Sequence, residues 1–172
     1  MTTPPFDEPS ERDIAIVTAQ LGRPARNVVG IAARCVCGSP TVVSTAPRLA
    51  DGTPFPTFYY LCHPAATAAA STLEAEHLMP VYAAELEEDP SVAQAYLRAH
   101  ESYLADRAHY GEVAEIAGVS AGGMPTRVKC LHALIGHALA AGPGVNPVGD
   151  RALAEARWSP EVCVCPDWLA AD

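Results

Sequence analysis

The sequence predicts an α+β fold, with a small antiparallel sheet of about three strands covered by a mostly helical C-terminal two-thirds. Three observations carry this. Runs rich in Val, Ile, Thr and Tyr occupy 27–34, 41–48 and 57–61. Turn residues separate them, Gly38-Ser39-Pro40 and then Asp51-Gly52-Thr53-Pro54. Connections this short favour an antiparallel meander. After Pro64 the chain turns Ala-rich and its apolar residues fall at helical spacing, so helices are expected to layer over the sheet.

Residues 1–9, rich in proline and acid, are expected to form a mobile tail ahead of one domain over 10–172. Ser10 followed by Asp13 reads as a helix cap with an acidic first turn. Ile14, Val17 and Leu21 then give an apolar face that Gly22 to Pro24 ends. Beyond the strands, Pro64 suits a first helical position for a helix over 64–77. Further helices are expected from Pro80, over 90–115, and over 125–141, where Gly142-Pro143-Gly144 stops the last of them. A short helix over 150–157 precedes an irregular cysteine-bearing tail.

Composition removes several function classes. The 172 residues are 49% hydrophobic but only 6% aromatic, so the core must lean on Ala, Val and Leu. Met1 to Ser10 lacks the basic start and apolar run of a secretory signal. No apolar stretch approaches the roughly 20 residues of a membrane span. A cytoplasmic location without membrane partners is expected. The net charge of −9 and a single lysine, Lys129, argue against nucleic acid, whose phosphates need clustered cations. A small anionic ligand or a protein partner stays open.

Six cysteines carry the chemistry: the Cys-x-Cys pairs Cys35/Cys37 and Cys163/Cys165, with Cys62 and Cys130 between them. In a reducing compartment such thiols are metal ligands, redox groups or buried hydrophobes sooner than disulfides. Cys35 and Cys37 leave a strand into a glycine turn, where two thiolates can bend around one ion. Cys62 precedes a helix N-terminus, whose partial positive charge stabilises a thiolate. If a helix runs from Pro125, Cys130 and His137 share a face, whereas Cys130 and His132 point too far apart to hold one ion. His137 then reads as a core histidine sooner than a ligand.

The leading expectation is a metal site built from Cys35, Cys37, Cys62 and Cys130, with Cys163 and Cys165 as additional ligands. Four thiolates suit structural zinc, which is preferred, or an iron–sulfur cluster. A second expectation is an anion site at Arg127, Lys129 and His132, near a glycine-preceded helix start. A third is a thiol enzyme with Cys62 or Cys130 as nucleophile and His132 as base, which needs the two side chains within hydrogen-bond reach.

The segments Gln20-Leu21-Gly22-Arg23-Pro24, Arg34-Cys35, Asp51-Gly52-Thr53-Pro54-Phe55-Pro56-Thr57, Cys62, Val128-Lys129-Cys130-Leu131-His132 and Asn146-Pro147-Val148-Gly149 together resemble a bacterial family catalogued as domain of unknown function 501. The resemblance spans about Ala19 to Asp150. It implies recurrent roles for Cys35, Cys62, Cys130 and His132 and assigns no activity. His63 departs from the family pattern, which passes straight from Cys to Pro, so an essential role is not expected of it. Family genes lie near those of a polyphosphate-degrading enzyme, which motivates the phosphate- or nucleotide-responsive reading of the Lys129 surface.

Overall fold

Ser10 opens the first helix by a reciprocal cap: its hydroxyl accepts the Asp13 amide, and the Asp13 carboxylate accepts the Ser10 amide in return. This gives α1 (Glu11–Leu21), closed by Gly22 in the left-handed region at φ 65°. The computed structural model describes residue 4 and residues 6–167. The strands follow as β1 (Val28–Arg34), β2 (Pro40–Thr45) and β3 (Tyr59–Leu61), antiparallel and in the order β1-β2-β3. Val28 faces Thr45 across the first pair, and Ser44 faces Tyr59 across the second. The expected meander is therefore present. β2 ends earlier than expected, because the chain after Thr45 turns into the loop that pairs Arg48 with Pro54.

Alternation along the strands sorts the core into two faces. Ile31, Val43 and Cys62 pack with Val17 of α1 on one side. Ala32, Val42, Tyr59 and Leu61 pack with the helical layer on the other. Thus the sheet is a middle layer, with α1 beneath it and the later helices above. Those helices are α2 (Pro64–Ala75), α3 (Leu78–Glu88), α4 (Pro90–Ala108), α5 (Leu131–Ala141) and α6 (Pro147–Glu155). Among the described residues, no helix is long and apolar enough to cross a membrane.

Two expectations change here. The tail over 1–9 is anchored where it is described. The Phe6 side chain is buried against Phe58 and Tyr59 and its amide donates to the Tyr110 hydroxyl, while the Asp7 carbonyl accepts from Ile31. Residues 1–3 and 5 lie outside the described residues. The helix expected over 125–141 starts six residues late, at Leu131. Gly122 and Gly123 have positive φ, and their carbonyls take the Lys129 and Arg127 amides at 2.7 and 2.9 Å. That closes a loop over 122–129 in place of a first helical turn. A side chain at Gly123 would stand 2.5 Å from the Arg127 carbonyl oxygen.

Asp13 also ties α1 to the sheet. Its two carboxylate oxygens take the Arg34 guanidinium at 2.6 and 3.2 Å, and Arg34 donates to the Gly38 carbonyl as well. That hydrogen bond to Arg34, against the cost of burial, holds the Asp13 carboxyl down to about 2. The folded value lies below the unfolded one, so this stability is present above about pH 4 and lost as pH falls toward 2. Asp13→Ala is expected to cost about 1–2 kcal/mol in urea unfolding at neutral pH. It should also flatten the acid limb below about pH 4, an unchanged limb being the contrary result.

Candidate metal centre and a second thiol group

Cys35 and Cys37 sit in the turn between β1 and β2. The turn is closed by the Gly38 amide on the Cys35 carbonyl and by the Cys35 amide on the Ser39 carbonyl, both at 2.8 Å. Arg34, fixed by Asp13, holds the Gly38 carbonyl from the other side. Residues 156–166 have neither helix nor strand, yet they return to this turn. The Val36 amide donates to the Pro160 carbonyl at 2.8 Å, and the Cys37 and Cys165 sulfurs are 3.4 Å apart. One sulfur from each of Cys35, Cys37, Cys163 and Cys165 lies within 4.8 Å of the other three.

Four thiols so placed form a donor set of the kind that holds a metal ion. Tetrahedral thiolates about 2.3 Å from zinc stand roughly 3.8 Å apart, inside the spread seen here. Burial raises the Cys35 and Cys165 thiols. Cys37 is also penalised by burial, but the Ser39 amide and the thiols of Cys163 and Cys165 outweigh it and bring Cys37 down to about 7.

His63 joins this group, contrary to the sequence expectation. Its Nε2 is 3.1 Å from the Cys165 sulfur, and its ring lies against Trp158. Burial lowers His63, keeping it neutral, so an Nε2–H can donate to a thiolate as outer-shell histidines do at metal centres. The histidine takes its place from β3 and the first turn of α2, where it is the N-cap.

Cys62 and Cys130 stand elsewhere. Cys62 lies under α1 with Val17, Ile31 and Val43, its thiol directed at the Pro40 carbonyl and pushed up to about 12 by burial. Such a thiol behaves as a small hydrophobe. Cys130 forms a different group with His132 and Glu74, again with ligand atoms within 4.8 Å. The four-thiolate set expected at Cys35, Cys37, Cys62 and Cys130 is thus divided, and the C-terminal pair stands with Cys35 and Cys37.

The late start of α5 explains the second group. Cys130 is the N-cap residue in extended conformation (φ −155°, ψ 109°), so its side chain does not follow helical spacing and can reach His132. Glu74 on α2 accepts the Leu131 amide at 2.7 Å and faces His132 Nδ1 at 3.2 Å, while Ser71 faces Nε2 at 3.2 Å. A signal for Glu74 was present in the sequence. Ala66, Ala70 and Leu73 form the buried stripe of α2, and an acid four residues after Ala70 lies on the edge of that stripe.

His137 is fully buried, stacked on Tyr59 and bonded to Asn146, as a core histidine. Arg127 and Lys129 are exposed. The helix start near them already holds the Glu74 carboxylate, and His132 turns toward Glu74 and Ser71.

A family model described as Protein of unknown function (DUF501) matches residues 31–154, most of the chain, and the chain belongs to that family. No curated protein and no solved structure matches it. Glu74, Cys130 and His132 fall inside the matched stretch, as do Cys35 and Cys37, whereas Cys163 and Cys165 lie beyond it.

Proposed function

We propose that Cys35, Cys37, Cys163 and Cys165 bind one Zn²⁺ as a closed structural site that fastens the C-terminal segment to the β1–β2 turn. The observation that carries this reading is the meeting of four sulfurs within 4.8 Å, from two Cys-x-Cys pairs at opposite ends of the chain. That spacing suits a single ion. An iron–sulfur cluster sets irons and bridging sulfides between its cysteines and spreads them further. With four protein ligands there is no open position for a substrate, so the metal stabilises and does not react. His63 would donate to the Cys165 thiolate, and the segment, lacking helix or strand, would owe its order to the metal.

All six cysteines are free, which accords with the reducing cytoplasm we assign to the protein. The anion-binding reading at Arg127, Lys129 and His132 is less favoured, because His132 is engaged by Glu74 and Ser71.

The test is anaerobic purification followed by elemental analysis and a visible spectrum. One colourless zinc per chain is expected, lost in the Cys37→Ser/Cys165→Ser double variant and retained by Cys62→Ala. Metal-free protein would overturn the proposal, as would a brown iron protein. Chelation of the zinc protein should speed amide exchange at Val36 and over 161–165 by about tenfold or more, with little change in β2.

A further inference from the structure

The group at Cys130 lies at a cavity. Beside the start of α5 is a space of about 570 Å³, walled in part by Tyr60, Leu61, Cys62, Cys130, His132 and Ala133. That volume falls in the range of small-molecule sites. No lysine, arginine or carboxylate is among the described residues lining it, and the charge of His132 on its wall is matched by Glu74, so no cation is left over for a phosphate or a carboxylate.

We infer that Cys130 is a nucleophile, with His132 as its proton partner and Glu74 as the residue that positions His132, and that the cavity takes an uncharged acyl ester or thioester. The arrangement has the parts that thiol catalysis needs: a sulfur and a base in one cluster, and a third group fixing the base. Glu74 is itself fixed by the Leu131 amide at 2.7 Å. The sulfur stands at the N-terminal end of an 11-residue helix, where the dipole favours negative charge.

Protonation agrees with the geometry. The neighbouring His132, outweighing burial, lowers the Cys130 thiol. Cys130 in turn, with help from Glu74, lifts His132 to about 9. Cys62 on the same wall is the contrast, held protonated by burial.

The reaction balances without a redox partner. The Cys130 sulfur attacks the acyl carbon, the new S–C bond forms, and the bond from carbon to the alcohol or thiol leaving group breaks. His132 gives that leaving group the proton it took from Cys130. Water then attacks the thioester, losing a proton to His132. The S–C bond breaks to release the carboxylic acid, and the proton returns to Cys130. This inference is independent of the zinc proposal.

The test treats full-length protein with iodoacetamide from about pH 5.5 to 10 and follows each cysteine by peptide mass mapping. Cys130 is expected to react near pH 6.5 at least about tenfold faster in the wild type than in His132→Gln, the two converging above pH 9. Glu74→Gln should bring down the pH at which His132 titrates, read from its ring signals by nuclear magnetic resonance, which a glutamate that only held the Leu131 amide would not do. p-Nitrophenyl acetate should leave an acetyl group on the Cys130 peptide, absent from His132→Gln. Circular dichroism melting identifies any variant that is simply unfolded, and His132→Asn then replaces His132→Gln. A Cys130 rate that follows an ordinary thiol in both proteins overturns the inference, as does failure to acetylate. So does a rate that rises when metal is stripped, because an ion would then occupy these side chains.

Discussion

Gly149→Val is expected to destabilise the protein by more than about 3 kcal/mol and to abolish the enhanced reactivity of Cys130. Gly149 lies in the first turn of α6, against the middle of α5. A Cβ there would stand 2.3 Å from the Leu134 carbonyl oxygen and 2.8 Å from the Ala138 Cβ. The first neighbour is helical backbone, so no rotamer change relieves the overlap and the two helices must separate. Because Cys130 and His132 ride on the start of α5, a shifted helix moves them away from Glu74, which belongs to α2. The α6 start has its own restraint: Asn146 caps it by accepting the Gly149 amide at 2.9 Å, and it anchors to His137 at 3.1 Å. Gly149→Ala should cost less than Val in the same direction. Gly118→Ala is the control, since nothing lies within 4 Å of its Cβ position, and it should change stability by no more than about 0.5 kcal/mol. Urea unfolding ranks the three, and a Gly149→Val protein as stable as wild type would show that α5 and α6 do not need this close approach.

Features set by local chemistry were legible in the sequence. The cap at Ser10, the meander with its Gly38 and Gly52 turns, and the proline-led starts of α2 and α4 all follow from neighbouring residues. The start of α5 was not legible. Pro125 looks like a first helical residue, and only the capture of the Arg127 and Lys129 amides by Gly123 and Gly122 reveals a loop. That displacement hid the Cys130–His132 pairing, because helical spacing was applied to a residue with extended backbone. For the metal centre, each Cys-x-Cys pair was recognisable alone. Which thiols meet depends on where residues 156–166 return, and their sequence has no periodicity to direct them. His63 was set aside for departing from a family pattern, although its approach to Cys165 depends on the same returning segment.

His137 gives the second large effect, an acid destabilisation of about 3 kcal/mol between pH 6.5 and 4. The ring is fully buried, lies parallel to Tyr59 at 5.4 Å and meets Tyr103 edge-on at 5.2 Å. It thereby joins β3 to α4 from a position on α5. Burial pushes it down to about 4, and its Nδ1 accepts from the Asn146 side-chain amide, so the folded state keeps the neutral ring. Unfolded chains take up the proton near pH 6.5 and folded ones only near 4, so stability is full above 6.5, declines as pH falls, and levels off below 4. His63 and His100, also lowered by burial, act in the same direction. His132, raised to about 9, gains its stability between pH 9 and 6.5 and adds no slope below that. Asp106 and Asp150, both raised by burial, oppose the decline toward its acid end. The decisive comparison is therefore the pH slope of wild type against that of His137→Gln, measured by urea unfolding at several values from 7.5 to about 4.5. Glutamine removes the titration whatever it does to packing, so the variant's slope should be markedly shallower even if its stability at pH 7.5 is lower. Parallel slopes would mean that the proton enters the native core without penalty, and the histidine would then have to reach water or a counter-charge that Tyr59, Tyr103 and Asn146 do not provide.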